Sequence, residues 1–137
     1  MSLDPFRWIV DHQATALMLL NNELSIEYMN SSAESLFARS GNQLHGQSWT
    51  SLFTPHSKLQ QLMRRVIDED VPTTQRSEKL LLTADGSRIT VDITLTPLRK
   101  ADGRYLLVEF LSMDRILKIS REEASLAKQE AARVLVR

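Results

Sequence analysis

With 17 Lys and Arg residues against 17 Asp and Glu residues, the 137-residue chain has no net charge, which gives no electrostatic reason to expect a nucleic acid or an anionic membrane as a partner. Its length suits one domain with its own core, and the absence of cysteine excludes disulfides, thiolate zinc sites, iron–sulfur clusters and thiol nucleophiles. The longest apolar run, ALMLL at residues 16–20, is far too short for a membrane span and no signal peptide precedes it, so we expect a cytoplasmic protein.

The N-terminal segment carries a helix signal. Asp4 followed by Pro5 is a typical helix start, because Pro fits the first helical turn. The apolar residues that follow are spaced to lie on one helical face: Phe6, Ile9 and Val10. We predict a short helix over residues 1–12, with the folded domain at 13–113.

Residues 15–29 predict a β-hairpin. The apolar run TALMLL is followed by Asn21 and Asn22, which favour a turn, and apolar residues then alternate with polar ones up to Met29. Such alternation is typical of a strand with one buried face.

Short helices follow the hairpin. Ser31 and Glu34 have the spacing of a capping box, in which each side chain bonds a backbone N–H at the start of a helix. Trp49 and Phe53 belong to a helix of one or two turns. Residues 56–70 carry apolar side chains at spacings of three and four, as expected of an amphipathic helix.

Three antiparallel strands are predicted next, at 77–83, 88–96 and 105–111. The second has the most regular alternation, with Thr at most of its polar positions, and we expect Pro97 to end it. Each hairpin turn between these strands contains an Asp-Gly pair. The order of elements predicts an α+β fold: a five-stranded antiparallel sheet with short helices on one face.

From residue 114 to residue 137 the sequence is helical, with no Gly, Pro or Asn to end the helix. Small and apolar residues recur there at alternating steps of three and four, as in the seam of a coiled coil: Leu117, Ser120, Ala124, Ala127, Ala131 and Val134. Because most of these side chains are small, pairing through the seam should be weak and able to change register. The alternative is an amphipathic helix that packs on its own sheet.

The order of elements, with its turn residues, resembles a PAS domain over residues 10–113. The positions that carry the resemblance are Tyr28, Asn30, Ala33, Leu36, Phe37, Ser40, Leu44, Gly46, Leu52, Asp85, Gly86 and Pro97. The resemblance implies the PAS-like (profilin-like) sheet, flanked by an N-terminal helix and a long C-terminal signalling helix. Flavin photosensing in this family uses a cysteine, which the chain lacks.

The tail is similar to that of the nitrogen-regulation sensor histidine kinases of the NtrB type, in which AAR-x-LVR precedes the segment with the phosphoacceptor histidine. Residues 131–137 match that pattern. The resemblance implies a homodimeric parent protein that phosphorylates its own histidine with ATP, acts on an NtrC-like response regulator and is controlled by a PII signal protein. We therefore expect a piece of a longer kinase, ending just before the phosphoacceptor region.

A ligand pocket is one expectation for the interior. Trp49, Phe53 and Leu62 are its candidate lining residues, although the same side chains could simply fill the core. His56 could hold a haem, as in some PAS domains, or lie on the surface like the other histidines, His12 and His45.

Four polar residues have two interpretations each. Asn30 could meet a ligand or bond the backbone where a strand turns into a helix. Arg64 and Arg65 could bind an anion or form a solvated helix face. Glu109 interrupts an apolar strand, and it could pair with Arg88 or Arg104 or face a partner.

No motif indicates catalysis, since patterns for a P-loop, a dinucleotide site and a zinc protease are absent. We expect no catalytic residue, metal site or cofactor in this chain. The first hypothesis is a regulatory module that pairs two copies and relays a signal to a kinase. The second is a cofactor or metabolite sensor, and the third, a small enzyme, has no group of residues in its favour.

Overall fold

The computed structural model describes residues 15–54 and 57–113. Its strands are β1 (Ala16–Asn21), β2 (Ile26–Met29), β3 (Thr73–Leu81), β4 (Arg88–Lys100) and β5 (Gly103–Ser112). Its helices are α1 (Ser31–Phe37), α2 (Gly41–Leu44), a 3₁₀ helix (Trp49–Ser51) and α3 (Ser57–Glu69). The predicted α+β fold is confirmed. The helices predicted at 1–12 and from 114 onward lie outside the described residues.

The five strands form one antiparallel sheet in the order β2-β1-β5-β4-β3. The first strand therefore pairs with the last, and Ala16 lies opposite Phe110. The start of β1 and the end of β5 are neighbours at one end of the sheet. A change in the packing of β5 would therefore alter the surroundings of both the first and the last described residues.

The core lies between one face of the sheet and the helices. Buried side chains alternate along β4 and β5, as the sequence pattern predicts, and apolar side chains of all the helices close over them. The largest of these core residues are Trp49, Phe37, Phe53, Phe110, Met18 and Met63. The helices cover this inner face only, which leaves the other face of the sheet, with the Thr side chains of β4, free of these helices.

Two strand boundaries differ from the prediction. β4 continues through Pro97 to Lys100, because β3 pairs with it only as far as Leu95 and one side of the strand is then an edge, where a residue without an N–H is tolerated. β3 begins at Thr73, well before the predicted start, since pairing with β4 overrides the weak local preference of its polar residues.

The start of α1 also differs from the predicted capping box. Asn30, one residue before Ser31, is the cap, and its side-chain oxygen accepts a hydrogen bond from the N–H of Ala33. The carboxylate of Glu34 instead accepts a 2.7 Å bond from the N–H of Gly41, at the start of α2. Glu34 therefore joins two helices rather than closing one.

Ala38 ends α1 in the left-handed conformation, with φ of 54°, and its side chain is exposed. A glycine has no Cβ to clash there, so Ala38→Gly should raise the free energy of unfolding by about 0.5–1 kcal/mol in urea denaturation. The matched control is Ala33→Gly, inside the same helix and fully buried, which should lower it by about 1 kcal/mol or more. Equal losses from both variants would contradict the assigned helix end.

Candidate functional site

The predicted pocket residues meet in a cluster of aromatic rings. Trp49 and Phe53 are buried, with ring centroids 5.2 Å apart. The ring of Phe53 stacks on Phe37 at 6.0 Å, and Phe37 meets Phe110 edge to face at 4.9 Å. Leu62 is half-buried on α3 and packs against the same core. These four rings are called the aromatic cluster below; contact of its members or of Leu62 with a ligand stays a prediction.

The aromatic cluster joins the helical layer to the end of the sheet. Phe37 lies at the end of α1, Phe53 follows the 3₁₀ helix, and Phe110 is near the end of β5. A close-packed interior transmits displacement because its side chains have little empty space to absorb it. A shift of the short helices would therefore move the last residues of β5.

Asn30 is fully buried and holds the start of β1 against α1. Its Oδ1 accepts hydrogen bonds of 2.9 Å from the backbone N–H groups of Leu17 and Ala33, and its Nδ2 donates one of 2.9 Å to the carbonyl of Thr15. Its own N–H donates to the carbonyl of Leu17. The backbone role weighed for Asn30 is confirmed.

A polar cleft of about 460 Å³ opens beside β2. Its lining residues are Glu27, Tyr28, Met29, Glu34, Gly41, Asn42 and His45. Glu27 accepts a 3.0 Å hydrogen bond from the Asn21 amide, and its other oxygen lies 3.6 Å from Nε2 of His45. Within residues 15–54 and 57–113, no group of three acidic or His side chains is placed to hold a metal ion. The carboxylates are instead held by protein groups.

No pattern in the sequence predicts this cleft. Glu27 and His45 lie far apart in the sequence, and they meet only because the Gly46–Gln47 loop bonds the outer edge of β2 at Ile26. The one signal in the sequence was that Glu27 occupies a polar position in the alternating pattern of β2, which places its side chain away from the core.

Arg64 braces the turn between β1 and β2. Its guanidinium donates to the carbonyl and the side-chain oxygen of Asn22, and it lies 3.6 Å from Asp68. Arg65 is exposed on the same helix. The contacts of Arg64 support a structural role rather than anion binding.

Glu109 lies on the face of the sheet opposite the core, between Leu17 of β1 and Thr94 of β4. The predicted pairing with Arg88 or Arg104 is wrong. Each arginine is five or six residues away along a strand, roughly 17–20 Å at 3.3 Å per residue. The remaining interpretation of Glu109, contact with a partner, is open.

Two titratable groups in the described part of the chain have shifted pKa values: Tyr105 near the start of β5 and Asp85 in the turn between β3 and β4. The hydroxyl of Tyr105 donates to Asp102 at 2.7 Å, which raises the pKa of Tyr105 above its usual 10.0. The hydroxyl and then the N–H of Ser87 donate to Asp85, which lowers the pKa of Asp85 below 3.8. Neither group is placed for catalysis.

The Asp85 turn gives a pH prediction. Its lowered pKa means that the ionised carboxylate stabilises the fold above pH 3.8, and that this contribution is lost as the pH falls through the lowered value. Ser87→Ala removes the main hydrogen bond, so the pKa of Asp85 should rise towards 3.8 in an NMR titration. Ser35→Ala, exposed on α1, should leave it unchanged. An unmoved Asp85 pKa in Ser87→Ala would contradict the turn geometry.

Several predicted residues cannot be placed. The seam residues Leu117, Ala124, Ala127, Ala131 and Val134 lie outside the described residues, as do His12 and His56. In the part that the structure describes, no helix is both long and apolar enough to cross a bilayer.

The sheet order, the short helices on one face and the Asn30 cap together define a PAS domain. The chain belongs to this family, since the family described as PAS fold matches residues 10–115. The PAS domain of nitrogen regulation protein NR(II) from Vibrio parahaemolyticus superposes with a TM-score of 0.68 and 22% identity, covering 81% of this chain and 100% of that chain.

Within the family, the chain is similar to the sensory histidine kinase/phosphatase NtrB. The NtrB proteins of Vibrio alginolyticus and Klebsiella oxytoca are 29% identical over 129 residues and 31% identical over 130 residues. Each alignment covers 94% of this chain and 36% of the relative, so the chain spans about a third of the length of these curated relatives. The resemblance to a PAS domain of the NtrB type is confirmed.

Proposed function

We propose that this chain is the regulatory PAS module of an NtrB-like sensor histidine kinase that controls nitrogen assimilation. In this role it pairs two copies and relays a signal through residues 114–137 to a histidine phosphotransfer region. The observation that carries the proposal is the extent of the NtrB match. It covers 94% of the chain and so includes most of the residues outside the PAS match at 10–115. A chain that shared only the PAS fold with NtrB would lose the match at its tail.

The chemistry belongs to the rest of the longer protein. There, ATP would phosphorylate a histidine, the phosphoryl group would pass to an NtrC-like response regulator, and a PII protein would set the balance of kinase and phosphatase activity. We assign no catalytic residue to positions 1–137. The PAS module lies in the cytoplasm and takes no part in the chemical steps. Its arrangement relative to the kinase region sets how active that region is.

The packing of the aromatic cluster supports a route for the relay. Phe110 contacts Phe37 and Phe53 from the helical layer, and β5 ends at Ser112, directly before the tail. Since most side chains of the seam in residues 114–137 are small, the two tails would hold each other weakly. A change of register in such a seam costs only a few kcal/mol. A conformational change in the preceding PAS domain can supply that free energy.

Light scattering after size exclusion tests the pairing. The molar mass should rise with concentration from 15.6 kDa towards twice that value. Ala127→Asp places a charge in the seam and should lower the dimer fraction, whereas Lys128→Asp, outside the seam, should change it less. A chain that stays a monomer at high micromolar concentration would contradict the proposal.

We also propose that the module works without a resident cofactor, since the rings of Trp49, Phe53 and Phe37 occupy the interior where a ligand would lie. Purified protein should then be colourless and have the 15.6 kDa mass of the chain alone in native mass spectrometry. A visible absorbance band or a reproducible added mass would favour the second hypothesis, a cofactor or metabolite sensor.

A further inference from the structure

β3 is an edge strand of the sheet. In the described part of the chain, β4 pairs with one side of β3 and no strand pairs with the other side. The backbone groups of an open edge can bond a strand of another molecule. Because each added strand presents a new edge, such pairing leads to open-ended assembly. A folded protein with a nine-residue edge strand therefore needs a feature that prevents it.

Other parts of the sheet edges are covered by loops. At β2, the loop at residues 46–47 bonds both the N–H and the carbonyl of Ile26. At the end of β3, the N–H of Thr54 donates a 2.9 Å hydrogen bond to the carbonyl of Leu81. The segment after the 3₁₀ helix thus closes the end of β3. Among the described residues, the stretch left without such a cover is 73–80.

A β-bulge interrupts this open stretch. The register with β4 shifts between Gln75 and Glu78. At this point β3 has two residues, Arg76 and Ser77, where β4 has only Asp92. Ser77 accommodates the extra residue with φ of 55°, in the left-handed region. A bulge bends and twists its strand, so a regular partner strand cannot follow β3 across this point.

The side chain of Asp92 holds the bulge. The backbone N–H of Ser77 donates a 2.9 Å hydrogen bond to Oδ1 of Asp92. Asp92 is half-buried and lies between the buried residues Val91 and Ile93, so its side chain is on the face of the sheet opposite the core. One backbone donor of the edge strand is therefore already used within the molecule.

We propose that the bulge at Arg76 and Ser77, held by Asp92, prevents β3 from pairing with strands of other molecules. It is called the β3 bulge below. The β3 bulge acts on the edge of the sheet only, so it is compatible with the proposed pairing of two copies and does not depend on it. Its role is to keep association of the folded chain from becoming open-ended.

Deletion of Ser77 tests the proposal. The deletion removes the bulge and keeps the register on both sides, because Arg76 then lies opposite Asp92 and the buried side chain of Leu80 still faces the core. The variant should keep its circular dichroism spectrum and assemble through β3. Its molar mass in light scattering should rise with concentration past twice 15.6 kDa, whereas the wild type should not exceed that value.

Ser77→Gly is the matched control. It removes the same side chain but keeps the extra residue, and glycine suits the left-handed conformation. Its molar mass should equal that of the wild type at every concentration. A folded deletion variant that never exceeds twice 15.6 kDa would overturn the proposed role of the β3 bulge, as would equal assembly of Ser77→Gly.

Two variants of Asp92 test the hydrogen bond, and they decide the question if the deletion variant does not fold. Asp92→Ala leaves the N–H of Ser77 without its acceptor, so this amide should exchange at least about tenfold faster and become available to another strand. This variant should also assemble beyond two chains. Asp92→Asn loses the same charge but keeps an oxygen acceptor, and it should resemble the wild type in both measurements. Unchanged exchange at Ser77 in Asp92→Ala would overturn the role of Asp92, and faster exchange without assembly would overturn the blocking of the edge.

Discussion

Replacing Phe110 with Ala is expected to lower the free energy of unfolding by about 3–5 kcal/mol. The side chain is 1% exposed, and its ring meets Phe37 and Phe53 at centroid distances of 4.9 and 6.4 Å. Truncation would remove this apolar burial and leave a cavity that the sheet cannot close, because β5 is bonded to a strand on each side. Urea unfolding followed by tryptophan fluorescence measures the loss.

Val71→Ala is the matched control, because its side chain is 54% exposed and its loss should stay within about 0.5 kcal/mol. If Phe110→Ala does not fold, Phe110→Leu keeps most of the volume and should lose about 1–2 kcal/mol. Similar losses from Phe110→Ala and Val71→Ala would show that the aromatic cluster is not packed as described. If the proposed kinase region follows this chain, Phe110→Leu in the longer protein should also change the ratio of kinase to phosphatase activity.

Asn30→Ala is expected to lower the free energy of unfolding by about 2–4 kcal/mol. The variant loses the cap of α1, worth about 1 kcal/mol, and it leaves the buried N–H of Leu17 without its side-chain acceptor, at about 1–3 kcal/mol. The amide protons of Leu17 and Ala33 should both exchange faster in native-state hydrogen exchange, since one side-chain oxygen accepts from both.

Asn42→Ala, with an exposed side chain on α2, is the control for Asn30→Ala and should change the free energy of unfolding by less than about 0.5 kcal/mol. Equal losses of unfolding free energy at the two positions, or faster exchange at Ala33 alone, would contradict the role of Asn30 in holding β1 to α1.

The parts of the fold that follow local rules were predictable. The alternation in β4 fixed which of its residues face the core, and the two Asp-Gly pairs marked the hairpins of the last three strands. The paired positions of β1 and β5 were not predictable from local pattern, because they join opposite ends of the sequence. The PAS resemblance implied one five-stranded sheet, and the pairing of β1 with β5 comes from the structure.

The differences have a common physical cause, which is tertiary pairing. Ser31 and Glu34 have capping-box spacing, yet Asn30 caps the helix because it can also bond the start of β1. Pro97 would stop a strand with neighbours on both sides, but one side is open there. The sequence offered burial in the core as one interpretation of Trp49 and Phe53, and the structure confirms their burial. The contacts of their rings with Phe37 and Phe110, and the distance of Glu109 from Arg88 and Arg104, required the tertiary structure.

Insertions into the tail most directly test whether residues 114–137 are a rigid connection between the PAS module and the proposed kinase region. In the longer protein, seven residues added between Ser120 and Arg121 preserve the heptad phase, whereas two residues turn the seam to the far side of the helix. We predict that kinase and phosphatase activities remain regulated after the seven-residue insertion and become fixed after the two-residue insertion. The same regulation in both proteins would contradict the account.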